Sequence, residues 1–293
     1  MPSPGLSPSQ KEQVSFKTLT AKARWVRKTV LEMAVRSNSG HITTAFSQTE
    51  LLTSLYYGGI LRVRPSEPKW QGRDRFILSK GQGGIGLYPI LADLGFFPIR
   101  ELEIFAGRES ILGVHADWNI PGIEIISGSL GHGLPIATGM AQVGKLDKQD
   151  WRVYCLLGDA ELYEGSNWEA ACYAAHQNLN NLICIVDRNQ QGVLGFTDEI
   201  TGPRDGPRLD SLEQKFSAFG FETRSINGHS FEEIFKALED RDSRQAVTSK
   251  PLAIIANTVK GKGAPSIENK RLWHYRVPKG KDLEKVREEL EEN

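Results

Sequence analysis

Two apolar stretches of the sequence each end in an oxygen-bearing side chain: Val153-Tyr-Cys-Leu-Leu-Gly-Asp159 and Leu182-Ile-Cys-Ile-Val-Asp-Arg-Asn189. Leu252-Ala-Ile-Ile-Ala256 has the same unbroken apolar character. Strands that are covered on both faces show this pattern, because neither side of their sheet meets water. Longer helical patterns separate the runs, as in parallel strands joined by crossover helices. The sequence therefore predicts an α/β fold with a doubly wound, mainly parallel sheet and helices on both faces.

Periodicity and composition suggest the remaining elements and the domain limits. Residues 1–14 are rich in Pro, Ser and Gln, so we expect them to be disordered. We expect one domain over residues 15–278, a functional loop at 192–210 and a charged helical tail over 279–293. Further strands are predicted at 75–78 and 222–226, and helices at 17–36, 46–57, 85–94, 162–176, 211–220 and 231–239.

The composition is that of an ordinary globular protein. Because 36 basic residues balance 36 acidic ones, there is no electrostatic reason to expect a nucleic acid or an anionic membrane as partner. The chain has neither a membrane-spanning apolar stretch nor the apolar core of a signal peptide, so we expect a cytoplasmic protein. Cys155, Cys172 and Cys184 lie in apolar runs without CxxC spacing, which predicts three buried free thiols.

Asp159 and Asn189 are the strongest candidates for a metal site. In open parallel sheets, ligands bind outside the carboxyl ends of the strands, where both residues are predicted to lie. Mg²⁺ takes oxygen ligands, few of them from the protein, so the backbone carbonyl of Gln191 could complete the protein's share while phosphates fill the shell. A helix beginning near Glu161 would direct its N-terminus at such an anion. An Asp after a strand is also a common helix cap.

The same segment carries a family resemblance. Gly158-Asp-Ala-Glu-Leu-Tyr-Glu-Gly-Ser-Asn-Trp-Glu-Ala170, followed by Asn189, resembles the thiamine diphosphate motif of the transketolase family. Further blocks follow in the order of that family, over roughly residues 15–278: Ser39-Gly-His41, Arg73-Asp-Arg-Phe-Ile-Leu-Ser-Lys-Gly81, Gly128-Ser-Leu-Gly-His-Gly133, Lys260-Gly-Lys-Gly263 and Trp273-His274. Several blocks in one order are more specific than any single glycine motif.

The resemblance implies cofactors and the residues that hold them. It implies a thiamine-diphosphate-binding fold with Mg²⁺ held by Asp159, Asn189 and Gln191. Lys260 matches a cation that reaches the diphosphate, and Gly128 and Leu130 match contacts that seat the pyrimidine ring. The other implied cofactor contacts are Gln82, Gly158, Ala160, Glu164 and His274. Glu164 and Glu169 match acidic positions near a subunit contact.

Substrate contacts are implied in the same way. His41 matches a substrate-facing proton-transfer group, His115 matches a histidine that contacts the donor sugar, and His274 matches a histidine near cofactor and substrate. Imidazole can give and take a proton near neutral pH. Thr44 matches a hydroxyl contact to substrate. His132 stays undecided, whereas His176 and His229 are predicted to be structural.

Two positions depart from the family pattern. Gln82 stands where the family has a histidine that contacts the diphosphate, and glutamine cannot carry charge or shuttle a proton. Ala160 stands where the motif has a second glycine, so a positive φ would be strained and a close backbone approach would be crowded by one methyl group. These two departures put substrate choice or catalytic strength in question more than cofactor binding.

The resemblance implies transfer of a two-carbon ketol unit from a ketose to an aldose, with a sugar or sugar phosphate as substrate. The family's activating glutamate belongs to a second domain, so we expect a separate C-terminal subunit that supplies it, in a heterotetramer. One alternative, motivated by Gln82, is a related transferase with an unusual acceptor, such as a carrier thiol or a non-phosphorylated sugar. Another, motivated by Gln82 with Ala160, is a catalytically weakened binding subunit.

Overall fold

A computed structural model describes residues 15–200, 211–242 and 248–292. The predicted disorder of residues 1–14 lies outside these ranges, as does the second half of the predicted loop at 192–210. Five parallel strands form one sheet in the order β1-β2-β3-β5-β4. Their bounds are β1 Arg75–Leu78, β2 Val153–Gly158, β3 Leu182–Arg188, β4 Glu222–Asn227 and β5 Leu252–Asn257. All predicted strands are confirmed, each within two residues at its carboxyl end.

Successive side chains of each strand point to opposite faces of the sheet and pack into two separate hydrophobic cores. Phe76 and Tyr154 belong to one core, whereas Ile77 and Cys155 belong to the other. Helices that pack on the first core are α1 Phe16–Ser37, α2 Ile42–Ser47, α3 Thr49–Tyr56, α4 Gly84–Asp93, α9 Phe231–Asp242 and α10 Lys281–Glu292. Helices on the second core are α5 Gly133–Leu146, α6 Gly165–His176 and α8 Leu212–Ala218. A short helix, α7, spans Thr197–Ile200. The predicted doubly wound fold is confirmed.

Several helix boundaries differ from the prediction. The predicted helix at 46–57 begins earlier and divides into α2 and α3, because the carbonyl of His41 accepts from the amide of Ala45 (3.0 Å) and Gln48 leaves the helical region with ψ of 0°. Gln48 instead donates its side-chain amide to the carbonyl of Gly83 (2.7 Å). The segment Ala160–Tyr163 is a 3₁₀ turn, so α6 begins only at Gly165.

The sequence prediction missed α5, whose glycines are poor helix formers. Tertiary packing explains why α5 tolerates Gly144. A Cβ at this position would lie 2.7 Å from the ring of Trp151, so only glycine lets the helix approach that ring. The prediction that all three cysteines are buried was wrong for Cys172. This residue lies exposed on α6, whereas Ala170, Ala171 and Ala174 face the core. All three thiols are free.

The charged tail packs more closely than its sequence suggests. Val286 and Leu290 of α10 are buried, and Arg287 forms an ion pair with Glu32 of α1 (2.8 Å). In the described ranges, no helix is both long enough and apolar enough to cross a membrane.

Candidate active site

The carboxyl edge of the sheet brings together residues that are far apart in sequence. Lys80 follows β1, Asp159 follows β2, Asn189 follows β3 and Lys260 follows β5. All four are buried, with exposed fractions between 1% and 6%. Parallel strands end on the same side of a sheet, which explains this convergence.

Asp159 is a buried carboxylate that has no cationic partner among the residues that the structure describes. Its two oxygens accept from the amides of Ala160 (2.8 Å) and Gln190 (2.5 Å). No lysine or arginine nitrogen of the described segments lies within 4 Å of it. Burial, followed by repulsion from Asp187, raises its pKa from 3.8 to about 6. A bound cation at this point would reverse that effect.

Asn189 and Gln191 supply further oxygens beside Asp159. The side-chain oxygen of Asn189 accepts from the amide of Gln191 (3.2 Å), and Gln190 between them has a left-handed φ of 60°. The carbonyl of Gln191 accepts from the Lys260 ammonium (3.1 Å). Both side-chain amide atoms of Gln191 are buried without a partner among the described residues.

This donor set fits a hard cation. One carboxylate, one amide oxygen and one carbonyl match the oxygen ligands of Mg²⁺, which keeps other positions for water or phosphate. No group of three or more His, Cys, Asp and Glu side chains in the described chain is arranged to hold a metal, here or elsewhere, so this donor set rests on a single carboxylate. The buried, unpartnered amide of Gln191 and the unpaired charge of Asp159 agree with a site that a ligand completes.

A buried ion pair that the sequence analysis missed lies beneath this site. The Lys80 ammonium contacts Asp187, which also accepts from the hydroxyls of Ser47 and Thr258. Burial alone would raise the pKa of Asp187, but Lys80 and these hydrogen bonds outweigh it and lower that pKa. Asn189 also donates to Asp187 (3.3 Å). The pair therefore orients Asn189 from below.

Glu161 is a second residue that the sequence analysis overlooked. Its buried carboxylate accepts from the hydroxyl of Ser79 and from the amides of Gly131 (3.0 Å) and Gly158 (3.1 Å). Burial raises its pKa, against the effect of these hydrogen bonds. It thus fastens the loop before α5 to the ends of β1 and β2. Its position in the 158–170 motif was the available signal.

The predicted catalytic histidines come together above this edge. The ring centroid of His41 lies 6.1 Å from that of His115, 5.7 Å from that of His274 and 4.6 Å from that of Tyr275. The ring nitrogen Nδ1 of His274 lies 3.1 Å from the ammonium of Lys260. Nδ1 of His41 is buried and has no partner among the described residues.

The pKa values of His41, His274 and Lys260 are lowered, which favours the neutral form of each group. Burial, followed by repulsion from His274, His115, Lys260 and Lys80, lowers the pKa of His41 to about 3. Burial and the same two lysines lower the pKa of His274 to about 4. Burial and Lys80 lower the pKa of Lys260 to about 8. The site therefore favours an anion, which would relieve each of these repulsions.

The remaining predicted contacts line the same edge. Gly81 begins the 3₁₀ turn that carries half-buried Gln82, and a Cβ at Gly81 would lie 2.5 Å from the amide of Gly128. A Cβ at Gly128 would in turn lie 3.1 Å from the ring of His115, and half-buried Leu130 follows two residues later. Close approach of two backbone segments thus requires glycine here.

Ala160 does not strain the backbone, contrary to the concern raised by its departure from the family pattern. It begins the right-handed 3₁₀ turn Ala160–Tyr163 and has no positive φ. A Cβ at Gly192 would lie 2.9 Å from the methyl group of Ala160. Glycine at 192 therefore leaves the space that this methyl group fills.

The other residues singled out from the sequence differ in exposure: one is buried, whereas Glu164, Glu169 and His132 are exposed. Thr44 is buried in the first turn of α2. Glu164 and Glu169 are exposed at and near the start of α6. His132 is exposed, with its ring 3.2 Å from the carbonyl of Leu130.

Comparison with known proteins identifies the family to which the chain belongs. The family model described as "Transketolase, thiamine diphosphate binding domain" matches residues 19–293. One of the subunits of the apulose-4-phosphate transketolase of Phocaeicola vulgatus is 36% identical over 279 residues, which cover 95% of this chain and 96% of that protein. The 6-deoxy-6-sulfo-D-fructose transketolase subunit SqwG of Clostridium sp. is 38% identical over 257 residues, which cover 87% of this chain and 90% of that protein.

The fold agrees with solved structures as well. The transketolase of Campylobacter jejuni aligns with a TM-score of 0.86 at 31% identity, covering 94% of this chain and 43% of that one. This chain therefore spans less than half the length of the Campylobacter jejuni enzyme. The resemblance drawn from the sequence blocks is confirmed: the chain belongs to the transketolase family of transferases, and it carries the family's thiamine diphosphate binding domain.

Proposed function

We propose that this chain is the N-terminal subunit of a transketolase that depends on thiamine diphosphate and Mg²⁺. It transfers a two-carbon ketol unit from a ketose donor to an aldose acceptor together with a second subunit. The observation that carries the proposal is the meeting of the Asp159, Asn189 and Gln191 oxygens with His41, His115 and His274 at one edge of the sheet.

The charges of the site support a magnesium diphosphate. Asp159 lacks a cation, while Lys80 and Lys260 lower the pKa values of the nearby histidines. Mg²⁺ held by Asp159, Asn189 and Gln191 would supply the missing cation, and Lys260 would turn from the carbonyl of Gln191 toward the diphosphate. Magnesium sites of this kind are completed by phosphate oxygens.

When bound, thiamine diphosphate supplies the nucleophilic carbon that breaks a ketose carbon–carbon bond and passes the two-carbon unit to an aldehyde. His41 and His274 of this chain hold and move protons. His41 and His274 are neutral at pH 7, because their pKa values lie near 3 and 4. A neutral imidazole can accept the proton of a substrate hydroxyl and return it to an alkoxide. His115 and Thr44 are proposed to contact the donor sugar.

The proposal includes a separate C-terminal subunit that supplies the activating glutamate, and a cytoplasmic heterotetramer. Two relatives that cover most of this chain are themselves named as transketolase subunits. Glu164 and Glu169 lie exposed on the proposed contact surface. Residues 15–278 are proposed to form the cofactor domain and 279–293 its tail.

The decisive experiment titrates magnesium thiamine diphosphate into this chain reconstituted with its partner and follows two-carbon transfer. The donor panel contains apulose 4-phosphate and 6-deoxy-6-sulfo-D-fructose, the sugars in the relatives' names, beside common ketose phosphates. Asp159→Ala is expected to weaken cofactor binding at least about tenfold, since it removes a metal ligand. Glu32→Ala, which removes a surface carboxylate paired with Arg287, is the matched control.

The outcomes separate the alternatives. Absence of cofactor binding by the wild-type pair would refute every enzymatic reading. Binding without transfer to any aldose would favour an unusual acceptor, a possibility that Gln82 raises, or the weakened binding subunit. Normal binding by Asp159→Ala would refute the metal assignment alone.

A further inference from the structure

A chain of buried polar contacts connects α1 with the segment that carries Lys260. Both terminal nitrogens of Arg27 donate to the carboxylate of Glu50 at 2.7 Å. The ring nitrogen Nδ1 of His229 lies 2.8 Å from the same carboxylate. The other ring nitrogen, Nε2, accepts from the backbone amide of Val259 at 2.8 Å. Lys260 is the next residue along the chain.

These contacts fix the tautomer of His229. A ring nitrogen that accepts from an amide carries no hydrogen, so the proton of the neutral ring lies on Nδ1 and is donated to Glu50. Burial would raise the pKa of Glu50, but the charge of Arg27 and the hydrogen bonds from His229 and Arg27 outweigh it and lower that pKa to about 2. Glu50 therefore stays an anion and holds the ring in one orientation.

The turn that carries His229 is pressed against the end of β5. The amide of Gly228 donates to the carbonyl of Asn257 (2.8 Å), and a Cβ at Gly228 would lie 2.5 Å from a methyl carbon of Thr258. Only glycine permits this approach. The turn thereby presents His229 to Val259 at the point where the chain leaves the sheet.

Lys260 sits in a backbone that is held on both sides. The amide of Val259 is bound by His229, and the amide of Gly261 donates to the carbonyl of Thr43 (2.9 Å). Its ammonium, in a residue that is 2% exposed, reaches the carbonyl of Gln191 and the ring of His274. A buried cation keeps such a position only where its backbone is fixed, because burial and Lys80 both act against its charge.

We propose that His229 is a positioning residue for the cofactor. Its ring accepts a hydrogen bond from the backbone amide of Val259 and thereby holds Lys260 where the lysine binds the diphosphate. The inference rests on the proposed function. It also replaces the sequence-based interpretation of His229 as a structural residue only. Arg27 and Glu50 act behind His229 by fixing its ring.

Two substitutions separate positioning from general structural support. In His229→Asn, the side-chain amide lies near the place of Nδ1, so it can donate to Glu50 but leaves the amide of Val259 without an acceptor. In His229→Gln, the side-chain oxygen lies near the place of Nε2, so it can accept from Val259 but gives up the contact to Glu50. Each variant loses one of the two hydrogen bonds, so they form a matched pair.

The test measures the dissociation constant of magnesium thiamine diphosphate for this chain reconstituted with its partner. His229→Asn is expected to raise it about tenfold, the scale on which the loss of an outer-shell partner weakens a site, because the backbone that positions Lys260 is released. His229→Gln is expected to stay within about threefold of wild type. Thermal unfolding of both variants, without cofactor, provides the comparison for stability. Equal dissociation constants in the two variants would overturn the proposal, even if both are destabilised.

A second measurement uses the unmodified chain and needs no substitution. Nitrogen-15 NMR of the histidine rings is expected to show His229 with its hydrogen on Nδ1 and none on Nε2. A hydrogen on Nε2 would contradict the contact with Val259 and overturn the proposal. If the wild-type pair fails to bind thiamine diphosphate, the proposed function falls and this proposal falls with it. If the wild-type pair binds and the variants match each other, only this proposal falls.

Discussion

Asp159→Asn is predicted to stabilise the chain in the absence of metal and cofactor while it removes cofactor binding. The carboxylate is buried beside Asp187 and has no cationic partner in the described part of the chain. Its charge therefore opposes folding until a cation arrives. Asparagine has the same shape without the charge.

The change in the free energy of unfolding follows from the shifted pKa of Asp159. A rise of the pKa of Asp159 from 3.8 to about 6 corresponds to roughly 3 kcal/mol at neutral pH. The substitution also gives up one of the two hydrogen bonds from the amides of Ala160 and Gln190, which costs about 1–2 kcal/mol. The net stabilisation is therefore about 1–2 kcal/mol.

The pH dependence has a definite sign. The folded state binds the proton of Asp159 more tightly than the unfolded state does, so ionisation destabilises the fold progressively as pH rises from 3.8 to about 6 and by a constant amount above that. The advantage of Asp159→Asn is therefore complete above the folded pKa of about 6 and declines as pH falls toward 3.8. Below that value both side chains are neutral and only the lost hydrogen bond remains, so Asp159→Asn is expected to be about 1–2 kcal/mol less stable than the wild type there.

Denaturant unfolding in a chelator, at several pH values, measures this difference. Asp74→Asn is the matched control: Asp74 is also buried and accepts two backbone amides, from Arg62 and Arg152 (both 2.9 Å), but it is paired with the guanidinium of Arg62 (3.0 Å). Asp74→Asn is expected to destabilise. A loss of stability in Asp159→Asn comparable to that of the control would refute the idea of an uncompensated carboxylate. A normal stabilisation of Asp159→Asn by magnesium thiamine diphosphate would refute the metal assignment.

Three further predictions concern other residues of the site and the thiols. Lys260→Met is expected to weaken cofactor binding about 10- to 100-fold in calorimetry of the reconstituted pair, because the buried cation proposed to bind the diphosphate is lost. His41→Asn is expected to lower kcat about 10²- to 10⁴-fold at nearly unchanged cofactor affinity, and an equal loss of affinity would contradict a role in proton transfer. Cys172 is expected to react rapidly with a thiol reagent in the native chain, whereas Cys155 and Cys184 are protected by burial, which raises their pKa values; three equal rates would contradict this assignment.

The sequence alone was sufficient to predict the features that depend on short stretches of the chain, namely the buried strands and the residues at their carboxyl ends. Continuous apolar runs predict buried parallel strands, and a parallel sheet places Asp159 and Asn189 at one edge without further information. The histidines required the family resemblance, because a loop position such as that of His41 does not show what lies opposite it. The structure brings His41 within ring contact of Tyr275, a residue more than two hundred positions away.

The residues that were missed act through long-range contacts. Lys80 and Asp187 meet across 107 positions, and His229 reaches Glu50 across 179. Neither pairing has a local pattern, because each residue alone resembles an ordinary strand or turn residue. Cys172 was misjudged for a related reason: Ala170, Ala171 and Ala174 define the buried face of α6, and the apolar run does not show which face each member takes.

The electrostatics of the edge have a common explanation. Among the described residues at this edge, one carboxylate lacks a cation, and one lysine and two histidines lack an anion, as the shifted pKa values of Asp159, Lys260, His41 and His274 show. A metal alone would relieve Asp159 but increase the repulsion on Lys260. A diphosphate alone would relieve Lys260 but increase the repulsion on Asp159. Only a ligand that brings both charges together relieves all four groups, so magnesium and diphosphate are expected to bind with strong positive cooperativity.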